Sequence, residues 1–245
     1  YDMLGTLLSH THIRHPYFVK KTGGRVLIVA MSSNRGLCGS IHSHIARSVE
    51  RYVARHPHTE FELITVGKKM ERLRNTLKIP LVASFVDIPD IVASYHVLPL
   101  FSYIKDSFDQ KKYTKILVAH THYTSALSHT PVVKQFLPLD AHEIQGVVTS
   151  LYKRMHTVEK VRAPSRTFEP GEETVLNYVI PNVLKTKLYS MLLEARACEH
   201  SARMLAMKNA SDNASSIIDE LKVSYNKARQ DSITREISEI AAGSM

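Results

Sequence analysis

The chain has 245 residues, of which 44% are hydrophobic, and this suffices for one sizeable core. Its formal net charge is +9, and its two cysteines, Cys38 and Cys198, lie far apart without a CxxC spacing, so a disulfide framework is not indicated. The sequence also lacks the run of about 18 apolar residues that a membrane-spanning helix needs.

The N-terminal part predicts alternating helices and strands. Residues 1–10 predict the end of a helix that begins before Tyr1, because Met3, Leu4, Leu7 and Leu8 are apolar. The apolar run 25–31 is typical of a buried parallel strand. Further strands are predicted at 61–66, 81–86, 115–120 and 142–151, and helices at 40–56, 68–77 and 91–108. This alternation indicates an α/β, Rossmann-like domain over residues 21–165.

The turn after the first predicted strand contains two glycines, in the sequence Gly36-Leu37-Cys38-Gly39. A glycine-rich turn between strand and helix is where a phosphate cradle lies in dinucleotide-binding proteins. The pattern is not GxGxxG, however, and no GxxxxGK[ST] occurs in the chain. We therefore interpret the glycines as permitting a tight turn, and we predict no cofactor.

Histidine pairs raise the question of a metal site. His120 and His122 lie two apart on a predicted strand, so their side chains share one face. His42 and His44 lie on a predicted helix, where the same spacing makes them diverge. No third ligand is recognisable beside His120 and His122, so we predict no metal site and no catalytic constellation.

The C-terminal part is a single uninterrupted segment. Residues 182–242 contain neither proline nor glycine. As one helix the segment would be roughly 90 Å long, which no globule of this size can enclose. We therefore predict a helix from about residue 183 to 240 that projects from the α/β body. The alternative is two shorter helices with a loop at 209–216, where short polar residues compete with the helical backbone.

Apolar residues in this segment follow the four-three spacing of a coiled coil, which predicts a helical partner. The first run is Leu184, Leu188, Met191, Ala195, Cys198, Ala202 and Leu205; the second is Met207, Ala210, Ala214, Ile217 and Leu221; the last is Ile233, Ile237 and Ile240. Without a partner helix, Leu184, Leu188, Leu205 and Leu221 are expected to expose a long apolar surface that favours self-association.

The net charge is concentrated in the N-terminal part. From residue 182 onward basic and acidic residues nearly balance, so most of the +9 belongs to residues 1–181. A basic body suits an acidic partner, an anionic membrane surface or nucleic acid. The last possibility gives an alternative interpretation: a basic scaffold that binds nucleic acid and uses its long helix for dimerisation.

Three segments resemble the gamma subunit of the rotary proton-translocating ATP synthase, of the bacterial type. They are 33–40 (SNRGLCGS), 200–214 (HSARMLAMKNASDNA) and 225–237 (YNKARQDSITREI). Their order along the chain also agrees with that family. The resemblance implies a non-catalytic subunit without a cofactor, built from the end of an N-terminal shaft helix (1–20), the Rossmann-like domain (21–165) and a long C-terminal shaft helix (166–245). The two shaft helices would form an antiparallel coiled coil.

The resemblance also implies partners and a location. The shaft would turn inside the head formed by alpha and beta subunits, while the body would contact the epsilon subunit and the membrane rotor ring. Proton flow through the ring would thus be coupled to conformational change in the beta subunits during ATP synthesis. The implied location is the cytoplasmic side of the bacterial inner membrane or, alternatively, the matrix side of the mitochondrial inner membrane. No nucleic acid and no small-molecule substrate are implied.

Five residues match positions that contact the head in this family. Arg229, Gln230, Thr234 and Glu236 match residues that hydrogen-bond the head's loops, and Arg203 matches one that faces an acidic loop of beta. The same polar residues on a helix face would otherwise be interpreted as solvated, which is our interpretation of Lys222 and Arg235.

Overall fold

A computed structural model describes residues 15–19, 23–71, 78–125, 128–140 and 171–243. Its centre is a five-stranded sheet in the order β3-β2-β1-β4-β5. The strands are β1 (Val26–Met31), β2 (Phe61–Val66), β3 (Leu81–Phe85), β4 (Lys115–Tyr123) and β5 (His129–Leu137). The first four are parallel, whereas β5 runs antiparallel to β4. The α/β class predicted from the sequence is confirmed.

Three helices accompany the sheet: α1 (Ile41–Ala54), α2 (Leu98–Asp109) and α3 (Glu172–Gly243). Short 3₁₀ turns lie at Pro16–Phe18 and Ser94–Val97. Residues 68–71 are helical, but the rest of the helix predicted at 68–77 lies outside the described residues. The predicted helix 1–10 and the predicted strand 142–151 also lie outside them.

Two elements differ from the sequence prediction. The helix expected at 91–108 begins only at Leu98, because Pro99 fits the first turn of a helix, where its missing N–H costs nothing. Strand β5 was not predicted at all. Its Pro131 lacks an N–H for a sheet hydrogen bond, and proline is tolerated in a strand mainly at a sheet edge, which is where β5 lies.

The strands alternate their side chains between two cores. One face carries Ile28, Ala30 and Leu63, which pack against α1 through Ile45 and Val49. The other face packs against α2 and the first part of α3. Its strand residues are Leu27, Val29, Met31, Ile64, Val66, Ile116 and Val118. Because both faces are covered, every residue of β1 is buried, as its continuous apolar run predicts.

The first half of α3 packs against the chain's own body. Leu184 and Leu188 are 2% and 0% exposed, and Met191, Leu192 and Cys198 are also buried. The predicted four-three spacing therefore does mark a buried face here, and among the described residues this face packs against the sheet and the short helix α2. The expectation that Leu184 and Leu188 are exposed was wrong, because the body predicted from residues 21–165 supplies the apolar surface that covers them.

The second half of α3 projects from this body. Every residue from 207 to 243 is exposed, including Ile217, Leu221, Val223 and Ile237. At 1.5 Å per residue this part extends about 55 Å. The helix continues without interruption through 209–216, so the continuous helix is confirmed and the alternative of a loop is wrong. It also begins earlier than predicted, at Glu172, and contains Pro181.

Gly67 is the position where the backbone most clearly requires glycine. Its φ is +90°, and a Cβ there would lie 2.6 Å from the carbonyl oxygen of Ser32. Its N–H also donates to the carbonyl of Phe85 at 2.9 Å, which ties the end of β2 to β3. We expect Gly67→Ala to lower the free energy of unfolding by about 2–4 kcal/mol, measured by urea unfolding.

The matched control is Gly39→Ala. Gly39 also has a positive φ, +60°, but a Cβ there meets no atom within 4 Å. This variant should carry only the conformational cost of roughly 1 kcal/mol. Equal losses for the two variants would contradict a steric role for Gly67.

Candidate functional site

The parallel part of the sheet has its topological switch point between β1 and β4. From β1 the chain continues to β2 and β3 on one side, whereas β4 lies on the other side. Ligands of open α/β sheets usually bind in the crevice beyond the carboxyl ends of two such strands. Here α3 crosses this edge: Cys198 forms a buried cluster with Cys38 and Ile41, and its thiol contacts the carbonyl of Thr121 at 3.5 Å.

A buried row of ion pairs, here called the charge ladder, holds α3 against this edge of the sheet. Glu199 accepts hydrogen bonds from Arg196 at 2.8 Å and from Arg203 at 2.6 Å. The side chains of Arg196 and Glu199 are both only 5% exposed. The two arginines also donate to backbone carbonyls of the body, Arg196 to Ile88 and Arg203 to Gly36. The ladder thus binds the helix to the loops that follow β1 and β3.

The charge ladder was not predicted from the sequence, although the spacing of its residues carries a signal. Opposite charges at 196, 199 and 203 have the three- and four-residue spacing of helical ion pairs. Such pairs are usually solvated, and only the burial of this helix face on the body distinguishes them. Arg203 itself was selected for a contact with another subunit, whereas in this structure its guanidinium binds Glu199 and Gly36.

A separate set of hydrogen bonds joins β4 to α3. His120 and His122 contact different oxygens of the Glu194 carboxylate, at 3.1 Å and 2.5 Å, and the N–H of Tyr123 donates to the same group. The two histidines share one strand face, as predicted. Among the described residues, no group of three or more His, Cys, Asp or Glu side chains has the geometry to hold a metal ion. The arrangement is a hydrogen-bonded clamp between strand and helix.

Cys38 and His42 lie together in a way that the sequence analysis did not anticipate. The Cys38 sulfur is 2.9 Å from Nε2 of His42, whose Nδ1 is 2.8 Å from the Ser32 hydroxyl. Burial, with the nearby Glu199 carboxylate, raises the pKa of the Cys38 thiol, and burial lowers the pKa of His42. These directions favour a neutral thiol and a neutral imidazole, not the thiolate that a nucleophile requires. The pair therefore positions the loop after β1.

His42, which is partly buried, and His120, which is buried, predict a pH dependence of stability. Burial lowers the pKa of His42 and of His120 below the ordinary value of 6.5, although Glu194 opposes the shift at His120. Below pH 6.5 the unfolded chain binds protons that the folded chain does not. Stability is therefore fully present above that pH and decreases as the pH falls toward the folded pKa values. We expect a smaller free energy of unfolding at about pH 5.5 than at about pH 7.5.

Urea unfolding of histidine variants checks this origin. The double variant His42→Gln with His120→Gln should flatten the dependence, since each unit of pKa lowering corresponds to about 1.4 kcal/mol. The control is His44→Gln, because His44 is exposed on the same helix as His42 and should leave the slope unchanged. A slope that persists in the double variant would assign the effect to other groups.

The other four residues selected from the sequence all lie on the projecting part of α3. Arg229, Gln230, Thr234 and Glu236 are exposed, and Glu236 accepts a hydrogen bond from Ser232 at 3.4 Å. Their distance from the sheet places them on a surface separate from the charge ladder that holds Arg203. The structure therefore presents two separate surfaces. One is the contact between the first half of α3 and the body, here called the seat of α3, and the other is the projecting half of α3.

Comparison with known proteins identifies the family. The sequence model of the ATP synthase family matches residues 1–245. The ATP synthase gamma chain of Staphylococcus haemolyticus is 32% identical over 242 residues, covering 96% of this chain and 77% of that protein. That of Brevibacillus brevis is 33% identical, covering 99% of this chain and 80% of that protein. This chain belongs to the ATP synthase gamma chain family.

Chains of two solved ATP synthase structures share the fold. A central-stalk chain of the Tetrahymena thermophila mitochondrial ATP synthase superposes with a TM-score of 0.59 at 27% identity, covering 84% of each chain. A chain of the Euglena gracilis mitochondrial enzyme has a TM-score of 0.61 at 18% identity, covering 95% of this chain and 76% of that one, and shows the fold alone. In the described part of this chain, none of the helices combines the length and apolarity needed to cross a bilayer.

Proposed function

We propose that this chain is the central rotor shaft of a proton-translocating ATP synthase. In this role it couples proton flow through a membrane ring to conformational change in the catalytic beta subunits during ATP synthesis. The observation that carries the proposal is a family match over the whole chain, together with a helix whose second half projects from the body. The comparisons support this function and give no support to the nucleic-acid scaffold.

The division of α3 into a seated and a projecting half suits the transmission of torque. The first half is held by apolar packing, the Glu199 ladder and the Glu194 clamp, so it must turn with the sheet. The second half carries isoleucine, leucine and valine side chains among polar ones around an exposed surface. A rotating surface of this kind presents different contacts in turn to each surrounding subunit, and can thereby bias distant catalytic sites between states.

The proposal assigns partners to each half. The projecting half would lie within a head of alpha and beta subunits, with Arg229, Gln230, Thr234 and Glu236 as contacts to its loops. Arg203, at the base of that half, would face a beta subunit with the part of its guanidinium that remains accessible, since its side chain is 23% exposed. The body would contact the epsilon subunit and the membrane ring, and its positive charge suits a position near an anionic membrane surface.

The proposed role is non-catalytic and peripheral to the membrane. The gamma chains of the two bacterial relatives suggest the cytoplasmic side of a bacterial inner membrane, while the matrix side of a mitochondrial inner membrane is the alternative. No nucleotide site is needed for this role, and part of the crevice where an α/β sheet would hold one is occupied by Cys198 of α3.

Direct observation of rotation tests the proposal. Glu50 is exposed on α1, and the native thiols of Cys38 and Cys198 are 1% and 0% exposed, so Glu50→Cys gives one accessible labelling site among the described residues. A complex assembled with the labelled chain is immobilised through its beta subunits, and the label is followed during ATP hydrolysis. We expect stepwise rotation of the label in one direction. A complex that hydrolyses ATP at the normal rate with a stationary label would overturn the proposal.

A further inference from the structure

A cleft of about 280 Å³ lies where the start of α1, the β4–β5 pair and α3 meet. It opens at the switch-point edge of the sheet, beside the seat of α3, and its volume suits a small ligand. Among the described residues that line it there is no Asp, Glu, Lys or Arg. Recognition in this cleft therefore depends on neutral polar groups, backbone N–H groups and apolar contacts.

Two polar side chains of the cleft have no hydrogen-bond partner within the part of the chain that the structure describes. Thr121 is only 1% exposed, and its hydroxyl oxygen is buried without a partner. Both ring nitrogens of His129 are likewise buried and unpartnered, while the ring stacks on Tyr123. A buried polar group without a partner carries a free-energy cost, because it has lost its hydrogen bonds to water. A ligand that bonds these groups would remove this cost.

The first turn of α1 adds hydrogen-bond donors to the same cleft. Gly39, Ser40 and Ile41 line it, and the side chain of Ser40 does not cap the helix. The first N–H groups of an α-helix have no partner within the helix, and the helix dipole favours negative charge there. No acidic residue lies in this first turn. The polar end of the cleft is therefore rich in donors and suited to one negative charge.

The cleft also has an apolar part. It is formed by Pro131 of β5 and by Leu205 and Ala206 of α3, at the point where this helix leaves the body. A ligand that fills the cleft thus needs an anionic end and a short apolar part. A nucleotide would bring several negative charges, and the described lining offers no Lys or Arg to balance them.

We propose that this cleft binds a small organic monocarboxylate. The carboxylate accepts hydrogen bonds from the first turn of α1 and from the Thr121 hydroxyl, and the apolar part lies against Pro131, Leu205 and Ala206. The bound ligand bridges α1, the sheet and α3. This site is separate from the projecting helix and does not depend on the function proposed above.

Fluorine NMR with the purified chain tests the site, with para-fluorobenzoate as the ligand and para-fluorobenzamide as its uncharged counterpart. We expect the benzoate signal to broaden on binding and the benzamide to bind at least about tenfold more weakly, because hydrogen bonds to a charged group are the stronger ones. Equal binding of the two compounds would overturn recognition of the carboxylate. No binding of benzoate at millimolar concentration would overturn the site.

Variants locate the binding. Thr121→Val removes the hydroxyl and should weaken benzoate binding about tenfold, whereas Thr121→Ser keeps the hydroxyl and should bind nearly as wild type. Ala206→Phe should fill the cleft from the α3 side and abolish binding. Circular dichroism confirms that each variant is folded. Benzoate binding that is unchanged in both Thr121→Val and Ala206→Phe would place the ligand elsewhere and overturn the proposal.

Discussion

Replacing Glu199 with glutamine should lower the free energy of unfolding by about 3–5 kcal/mol, the range found when one partner of a buried ion pair is removed. In the folded chain Glu199 neutralises Arg196, whose side chain is 5% exposed, and binds Arg203 as well. With glutamine at position 199 the buried positive charge of Arg196 is no longer neutralised, because the backbone carbonyl of Ile88 and the amide oxygen of the glutamine are uncharged acceptors. Urea unfolding followed by circular dichroism measures the loss.

The location of the loss is as informative as its size. Because the ladder joins α3 to the loops after β1 and β3, hydrogen exchange should accelerate first at residues 172–206, the seated half of the helix. The exposed Glu220 provides the matched control, and Glu220→Gln should change the free energy of unfolding by less than about 0.5 kcal/mol. A loss of similar size in both variants would show that the buried ladder does not stabilise the seat.

A second variant separates the charge from the packing. Arg196→Met combined with Glu199→Gln removes the most buried cation together with its partner. Replacing both members of a buried pair by uncharged side chains is often far less costly than breaking it. We therefore expect the double variant to be more stable than Glu199→Gln alone. If it is less stable, the contacts of the Arg196 side chain, and not an uncompensated charge, account for the effect.

The parts of the fold that the sequence predicted well are those governed by local rules. The strands 61–66 and 25–31 are continuous apolar runs that need cover on both faces, and the structure reproduces them within one residue. The continuity of α3 follows from the absence of proline and glycine between Asn182 and Ala242. Residues 209–216 show that short polar side chains alone do not end a long helix.

What the sequence did not reveal depends on tertiary contacts. Strand β5 carries Pro131 and polar residues that are tolerated because β4 lies on one side and, among the described residues, no strand lies on the other. The seam at Leu184 and Leu188 has the spacing of a coiled coil, and nothing in that spacing says whether the partner is a helix or a sheet. The ion pairs of Glu199 likewise have the spacing of solvated ion pairs on a helix surface, and only their burial distinguishes them.

The candidate site shows the same difference between what the sequence predicts and what tertiary contacts decide. Membership of the family could be predicted from three segments, because these retain long ordered motifs. Membership of the family did not, however, determine the roles of single residues. Arg203 and Arg229 were both selected as contacts to other subunits, yet the first is held within its own chain and the second is exposed on the projecting helix. Burial, which the sequence does not show, separates the two.

In an assembled complex, Gln230→Leu or Glu236→Lys should reduce both ATP synthesis and ATP hydrolysis about tenfold or more, while the sheet remains folded. Gln230 and Thr234 are four residues apart and share a face of α3, and Glu236 lies toward the adjoining side. All three are exposed near the end of the projecting half, far from the body. Side chains there are free to hydrogen-bond loops of a surrounding head, and the loss of such a bond to a charged partner typically costs about 1.5–3 kcal/mol.

The matched control is Arg235→Ala, which removes a charged side chain from the same helical turn at a position interpreted as solvated. It should reduce either rate by no more than about twofold, because an exposed charge contributes little by itself. Both rates are measured in reconstituted vesicles, with assembly checked by subunit stoichiometry. Normal turnover in both the Gln230 and the Glu236 variants would show that these contacts are incidental. The shape of the projecting helix alone would then have to transmit the torque, and changes at its exposed apolar residues, such as Ile233 and Ile237, would be expected to have the larger effect.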